Sequence, residues 1–210
     1  HDPVVVGLIP NAPPTVNAGG PYSVNEGSSV TLAATGSDPN GDTLSYAWDL
    51  DNNGSFETPG QTATFSAPTN SAPTSYTIKV RVTDGGGLTA VDSATVNVIF
   101  NFTGFLQPID NLPTLNTVKA GQAIPVKFSL SGDQGLSIFA AGYPKSMNIA
   151  CDTGAPQDDI EQTDAAGASG LSYDPGSDQY HYVWKTVNTW TGTCRQLVVK
   201  LVDGTTHVAN

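Results

Sequence analysis

Alternation of apolar and polar side chains with a period of two recurs along this chain. The clearest run carries Leu44, Tyr46, Trp48 and Leu50 on one face. Three further runs alternate in the same way: Val30, Leu32, Ala34; Tyr76, Ile78, Val80, Val82; and Ala94, Val96, Val98, Phe100. Gly, Asn, Asp or Pro bounds each run, as expected for half-buried strands that end in turns. The pattern predicts an all-β fold.

Length and composition set the size and the surroundings of that fold. At 210 residues, the chain is long enough for two sandwiches of about 100 residues each. A net charge of −11 argues against nucleic acid and anionic membranes as partners. We find no apolar run near the roughly 20 residues of a membrane span and no signal peptide, so we expect a mature or excised secreted segment.

The first half resembles a known domain family. The resemblance is carried by residues 17–22, 26–32, 37–51 and 76–84, which include the acidic turn Ser37-Asp38-Pro39-Asn40-Gly41-Asp42. These segments are similar to those of PKD (polycystic kidney disease) domains. The resemblance implies an immunoglobulin-like β-sandwich over residues 15–100, of a kind common on microbial surfaces.

The second half resembles the PxKF family, through the run Pro125-Val126-Lys127-Phe128 and residues 108–113, 140–145, 171–175, 182–186 and 190–195. Pro125 predicts an edge strand or a bulge, because proline cannot donate to a sheet ladder. The resemblance implies a second β-sandwich over residues 101–210 and gives no active site. The predicted architecture is therefore two tandem immunoglobulin-like β-sandwiches.

Residues 1–14 form a separate tail of a predicted extended strand and a proline-rich linker. The apolar strand residues are Val4, Val5, Val6, Leu8 and Ile9. PxKF relatives usually continue past the segment that ends at Asn210 into another strand. We therefore hypothesise that the N-terminal strand of one copy adds to the second domain of the next and builds a filament. The alternatives are a truncated fragment or a tail that pairs with its own first domain.

Cys151 and Cys194 are the two cysteines of the chain. An even pair in a secreted-looking sequence predicts a disulfide, and a metal site lacks further His or Cys at ligand spacing.

Two acidic loops are candidate calcium sites. The first presents oxygen side chains from Asp49, Asp51 and Asn53, followed by Gly54, and Glu57 can add another oxygen. These are the opening positions of a calcium loop, although Gly60 replaces its closing Glu.

The second loop has the same alternation in Asp38, Asn40 and Asp42. The PKD resemblance also implicates Asn17, because calcium ligands in related domains come from the domain entrance and the acidic turn. Ordinary solvated turns are the alternative for both loops, since turns also favour Asp, Asn and Gly.

Tyr180, Tyr182 and Trp184 share one face of a predicted strand. Such aromatics stack on sugar rings when they are exposed, but alternation in a strand more often means that they are packed in the core. The three histidines lie in no nucleophile–base pattern, and we find no metalloprotease or hydrolase motif. We therefore predict that the chain is not an enzyme.

These observations predict a structural or adhesive module of an extracellular or cell-surface protein. The expected partners are other copies of itself or neighbouring surface domains. The alternative is an accessory carbohydrate-binding region of a secreted polysaccharide- or protein-degrading enzyme.

Overall fold

The computed structural model describes residues 10–158, 161–163 and 170–210. In these residues the regular structure is β-strand, apart from the short 3₁₀ turn Asn188–Trp190. The described part of the chain contains no helix long and apolar enough to span a membrane. The predicted N-terminal strand, with Val4, Val5, Val6, Leu8 and Ile9, lies outside the described residues.

The strands belong to two compact units. Residues 10–68 and Thr74–Val98 lie in the first unit, and Thr69–Pro73 and Ile99–Asn210 lie in the second.

The first unit contains nine strands in the residues that the structure describes. They are β1 (Thr15–Asn17), β2 (Tyr22–Asn25), β3 (Ser29–Ala33), β4 (Thr35–Ser37), β5 (Ser45–Asp49), β6 (Thr58–Pro59), β7 (Thr62–Ser66), β8 (Thr74–Thr83) and β9 (Thr89–Ile99). One sheet has the order β2-β9-β8-β5-β6, and the pairs β3-β7 and β1-β4 complete the unit.

The core of the first unit follows the predicted alternation. Trp48 pairs with Val80 across β5 and β8, and both side chains are completely buried. Leu32 on β3 is buried as well. The Trp48 indole N–H donates to the carbonyl oxygen of Gly60 at 3.0 Å, which satisfies the polar atom that this large side chain brings into the core.

In its described residues, the second unit contains eight strands. They are β10 (Phe105–Leu106), β11 (Ala123–Phe128), β12 (Lys145–Ile149), β13 (Glu161–Gln162), β14 (Ser172–Asp174), β15 (Gln179–Lys185), β16 (Cys194–Lys200) and β17 (Thr206–Ala209). They form two four-stranded sheets, β10-β11-β15-β14 and β13-β12-β16-β17. Side chains of both sheets share one hydrophobic core. The all-β prediction of two immunoglobulin-like sandwiches is confirmed.

The pairing of β11 explains why this strand tolerates proline at position 125. Strand β10 pairs with β11 at Lys127 and Phe128, whereas Pro125 has a ladder partner on the β15 side, Val183. In the described residues β11 is therefore a local edge at Pro125, where a missing N–H breaks no ladder on the outer side.

Candidate functional site

Two aspartates of the acidic turn meet a third aspartate, which comes from a distant hairpin of the first unit. Asp38 follows β4, Asp42 ends the acidic turn, and Asp84 follows β8 in a glycine-rich hairpin. Each offers a carboxylate oxygen, and these oxygens lie within 4.8 Å of one another. Three carboxylates at this spacing repel one another strongly unless a cation lies between them.

Asp84 is the most enclosed member of this group, since it is 6% exposed. One of its oxygens, Oδ1, accepts the backbone N–H groups of Gly86 and Leu88 at 2.9 and 2.8 Å. The other, Oδ2, accepts the side-chain amide of Asn11 at 3.0 Å. These bonds orient the carboxylate before any ligand arrives.

The chain entering the first sandwich is held at the same place. The Asn40 side chain accepts the N–H of Ala12 at 2.7 Å and donates to the carbonyl of Pro10 at 3.2 Å. Asn11 then reaches Asp84 beside Gly86, where a Cβ atom would overlap the Asn11 amide nitrogen. The entry segment, the acidic turn and the hairpin therefore converge on the three aspartates.

Asp38 has an unequal pair of oxygens. Its Oδ1 accepts the N–H groups of Asn40 and Asp42 at 2.8 and 3.1 Å. Its Oδ2 is buried and has no hydrogen-bond partner in the structure as described. A buried carboxylate oxygen without a donor is costly, so this atom fits coordination to a hard cation.

In the loop after β5, by contrast, both oxygens of the buried aspartate have hydrogen-bond donors. Asp49, Asp51 and Glu57 also bring carboxylate oxygens within 4.8 Å. The two oxygens of Asp49 accept the N–H groups of Asn53 and Gly54 at 3.1 and 2.9 Å. Burial works to raise the pKa of Asp49, but these donors outweigh it and hold that pKa below its usual value.

The remaining side chains of this loop are also engaged. Asp51 accepts the side-chain amide of Asn53 at 2.9 Å, and the Asn53 side-chain oxygen accepts the N–H of Ser55 at 2.7 Å. Glu57 lies 3.5 Å from the same Asn53 amide. The loop therefore has the bonding of a self-sufficient turn, and the cluster of Asp38, Asp42 and Asp84 is the better candidate.

Sequence reasoning found two of the three aspartates and missed Asp84 and Asn11. The run Asp84-Gly85-Gly86-Gly87 indicates a hairpin, and nothing local shows that its aspartate faces Asp38. Asn17, the asparagine implicated by the PKD resemblance, is the last residue of β1. It pairs with Thr35 across β1 and β4, and its side-chain oxygen accepts the N–H of Gly19 at 2.7 Å.

The predicted aromatic row lies in the core of the second unit. Tyr180, Tyr182 and Trp184 are 0, 5 and 7% exposed. Tyr180 stacks on Phe128 with ring centroids 5.5 Å apart. The alternative in which these three residues form an exposed sugar platform is wrong, because their face of β15 points at the opposing sheet.

The predicted disulfide between Cys151 and Cys194 is confirmed. It joins the first residue of β16 to the segment that follows β12.

A known domain family and several known proteins are similar to parts of this chain. Residues 11–98 match the model of the PKD domain. Chitinase A of Pseudoalteromonas piscicida is 29% identical over 145 residues. That alignment covers 66% of this chain, and the chain spans 17% of the length of the chitinase.

Among solved structures, the fibronectin(III)-like modules of Clostridium thermocellum CbhA are 13% identical, with a TM-score of 0.43 over 93% of this chain and 90% of theirs. Carbohydrate-binding modules of the β-sandwich superfamily are 16% identical, with a TM-score of 0.37 over 95% of this chain and 96% of theirs. The resemblance of the second half to the PxKF family stays a prediction. Asn11, Asp38, Asp42 and Asp84 all fall within residues 11–98, so the candidate site lies in the part of the chain that matches the PKD domain model.

Proposed function

We propose that this chain is a non-catalytic structural or adhesive module of an extracellular protein, and that calcium stabilises its first sandwich. The Cys151–Cys194 disulfide supports an oxidising compartment outside the cytoplasm. Similarity to one part of a chitinase supports membership of a larger protein.

The observation that carries the calcium proposal is the buried Asp38 Oδ2, which lacks a partner in the described residues. Its carboxylate group is clustered with those of Asp42 and Asp84, each of which offers an oxygen within 4.8 Å of the others. Calcium takes six to eight oxygen ligands in flexible geometry, and these carboxylates supply oxygens of the kind it prefers. The stabilising role of the ion follows from the position of the site. An ion bound here ties the acidic turn to the hairpin at the point where residues 10–12 enter the sandwich.

The test compares two isosteric variants of the full chain, Asp84→Asn and Asp51→Asn, by calorimetry in chelator and in millimolar calcium. For a site filled at about ten times its dissociation constant, calcium adds about 1.4 kcal/mol to the free energy of unfolding. That gain raises the melting temperature of a sandwich this small by several degrees. We expect the shift in the wild type and in Asp51→Asn, and its loss in Asp84→Asn.

The control is matched, because each variant removes one negative charge from one acidic loop. Equal melting temperatures of the wild type in chelator and in calcium would refute the proposal. A shift that survives Asp84→Asn and disappears in Asp51→Asn would move the site to the loop after β5.

A second candidate function is that of an accessory carbohydrate-binding region of a secreted degrading enzyme. The similarity to chitinase A favours it. Burial of Tyr182 and Trp184 means that binding would use a different surface. Sedimentation of the intact chain with insoluble chitin tests this candidate: retention on chitin supports it, and full recovery in the supernatant argues for the structural role alone.

A further inference from the structure

Among the described strands, β17 is the edge of the sheet β13-β12-β16-β17, and no described strand pairs with its outer side. The N–H of Leu201 donates to the carbonyl of Thr205 at 2.9 Å, so the backbone groups of Thr205 point toward β16. The carbonyl of Asn210 instead accepts the N–H of Asn116 at 2.8 Å, so it points away from β16. Backbone groups alternate along an antiparallel strand, so those of Thr206 and Val208 also point outward.

The outward backbone groups of Thr206 and Val208 have no backbone hydrogen bond in the described residues. Proteins normally cover or blunt such an edge, because unpaired N–H and C=O groups are a template for another strand. Here β17 carries neither proline nor a Lys, Arg, Asp or Glu side chain to blunt it.

Apolar surface lies beside this edge. The loop that contains Asn116 also carries Leu112, Leu115 and Val118, which are 46, 48 and 49% exposed. Asn116 fixes this loop against the end of β17 through two bonds to the Asn210 carbonyl, one from its N–H and one from its side-chain amide, both 2.8 Å. Unpaired strand backbone and exposed aliphatic side chains together favour addition of an apolar strand.

The sequence offers such a strand in residues 4–9, Val-Val-Val-Gly-Leu-Ile. The segment is rich in β-branched and aliphatic residues and has no charge, in a chain whose net charge is −11. An uncharged donor avoids the repulsion that two copies of this acidic chain meet elsewhere. Six extended residues span about 20 Å, enough to cover the open part of β17.

We propose that residues 4–9 of one copy add to β17 of a second copy and extend its four-stranded sheet by one strand. The donor and the acceptor are different surfaces of the molecule, so the contact is heterologous and repeats into an open chain of subunits. This inference goes beyond the proposed calcium site and does not depend on it.

The test uses two variants of the full chain. Val6→Asp places a charge in the donor strand. Val208→Pro removes an outward N–H from the acceptor edge and leaves the β16–β17 ladder intact, because that N–H takes no part in it. Val91→Asp, at an exposed valine of β9, is the control for the added charge.

Sedimentation velocity over a range of concentrations measures assembly. We expect the wild type and Val91→Asp to form concentration-dependent oligomers, and Val6→Asp and Val208→Pro to remain monomeric. An equimolar mixture of the two monomeric variants has one working donor and one working acceptor, so we expect dimers that grow no further. Wild type that stays monomeric at high concentration, assembly by Val208→Pro, or a mixture without dimers would each overturn the proposal.

Hydrogen exchange in the wild type gives a readout that does not depend on the folding of a variant. We expect the amides of Thr206 and Val208 to exchange at least about tenfold more slowly as concentration rises. Slow exchange that is independent of concentration would show that the tail pairs within its own chain, and the proposal would then be wrong. The calcium shift is measured on the same samples, so either proposal can fail while the other stands.

Discussion

Two adjacent glycines of the hairpin after β8 provide a direct test of the acidic site. An added Cβ at Gly86 would overlap the Asn11 amide nitrogen, whereas one at Gly85 would lie 3.8 Å from the Asp42 carboxyl carbon, an ordinary contact. Neither glycine has a positive φ, so alanine is not strained by the backbone at either position. Gly86→Ala therefore displaces the Asn11 side chain from Asp84, and Gly85→Ala is its matched control.

The expected loss of stability in Gly86→Ala follows from the hydrogen bond between Asn11 and Asp84 that this variant breaks. Hydrogen bonds to charged groups contribute about 1.5–3 kcal/mol, and we expect about 1 kcal/mol here because Asn11 is exposed. Replacing glycine by alanine at an unstrained position stabilises by about 0.4–1 kcal/mol through the unfolded chain. We therefore expect Gly85→Ala to raise the free energy of unfolding slightly, and Gly86→Ala to lie about 1 kcal/mol below Gly85→Ala.

Urea unfolding of the first sandwich in chelator measures both variants together with Asn11→Ala and the double variant Asn11→Ala/Gly86→Ala. If Gly86 acts through Asn11, the two single effects are not additive, and the double variant is more stable than Asn11→Ala by the gain of about 0.4–1 kcal/mol that alanine brings through the unfolded chain. Equal stability of Gly85→Ala and Gly86→Ala, or full additivity with Asn11→Ala, would refute this account of the site.

Two further predictions concern the second sandwich. Replacing Cys151 and Cys194 by serine opens a loop of sequence separation 43 and should lower the free energy of unfolding of the second sandwich by about 4 kcal/mol. Calorimetry should show a lower melting temperature for the second sandwich and an unchanged one for the first. Equal melting temperatures of the second sandwich with and without the disulfide would contradict this prediction. His207 stacks on Phe102 with ring centroids 3.7 Å apart, and burial lowers its pKa although Asp203 works to raise it. Because the unfolded chain then binds the proton first, the contribution of neutral His207 is complete above the unfolded pKa of about 6.5 and is lost as the pH falls below it. His207→Gln should flatten this acid-side loss in urea titrations, and an unchanged pH profile would contradict the assignment.

The strand pattern and the cysteine pair are visible in the sequence because both depend on local rules. Alternation in residues 44–50 and 123–130 follows from the pleat of a strand, which places every second side chain on one face. That rule puts Trp48 and Phe128 inside, and both are buried. The disulfide follows from the cysteine count and the expected compartment.

Tertiary structure distinguishes between interpretations that the sequence leaves open. The two acidic loops have the same alternation of Asp and Asn. They differ because Asp84 joins the loop of Asp38 and Asp42 from a hairpin more than 40 residues away. In addition, Asp38 has a buried oxygen without a donor in the described residues. Local spacing cannot reveal either fact, since both arise when β8 folds beside β5. The same holds for Tyr182: alternation assigns it to one face of β15, and the packing of a second sheet against that face makes it core.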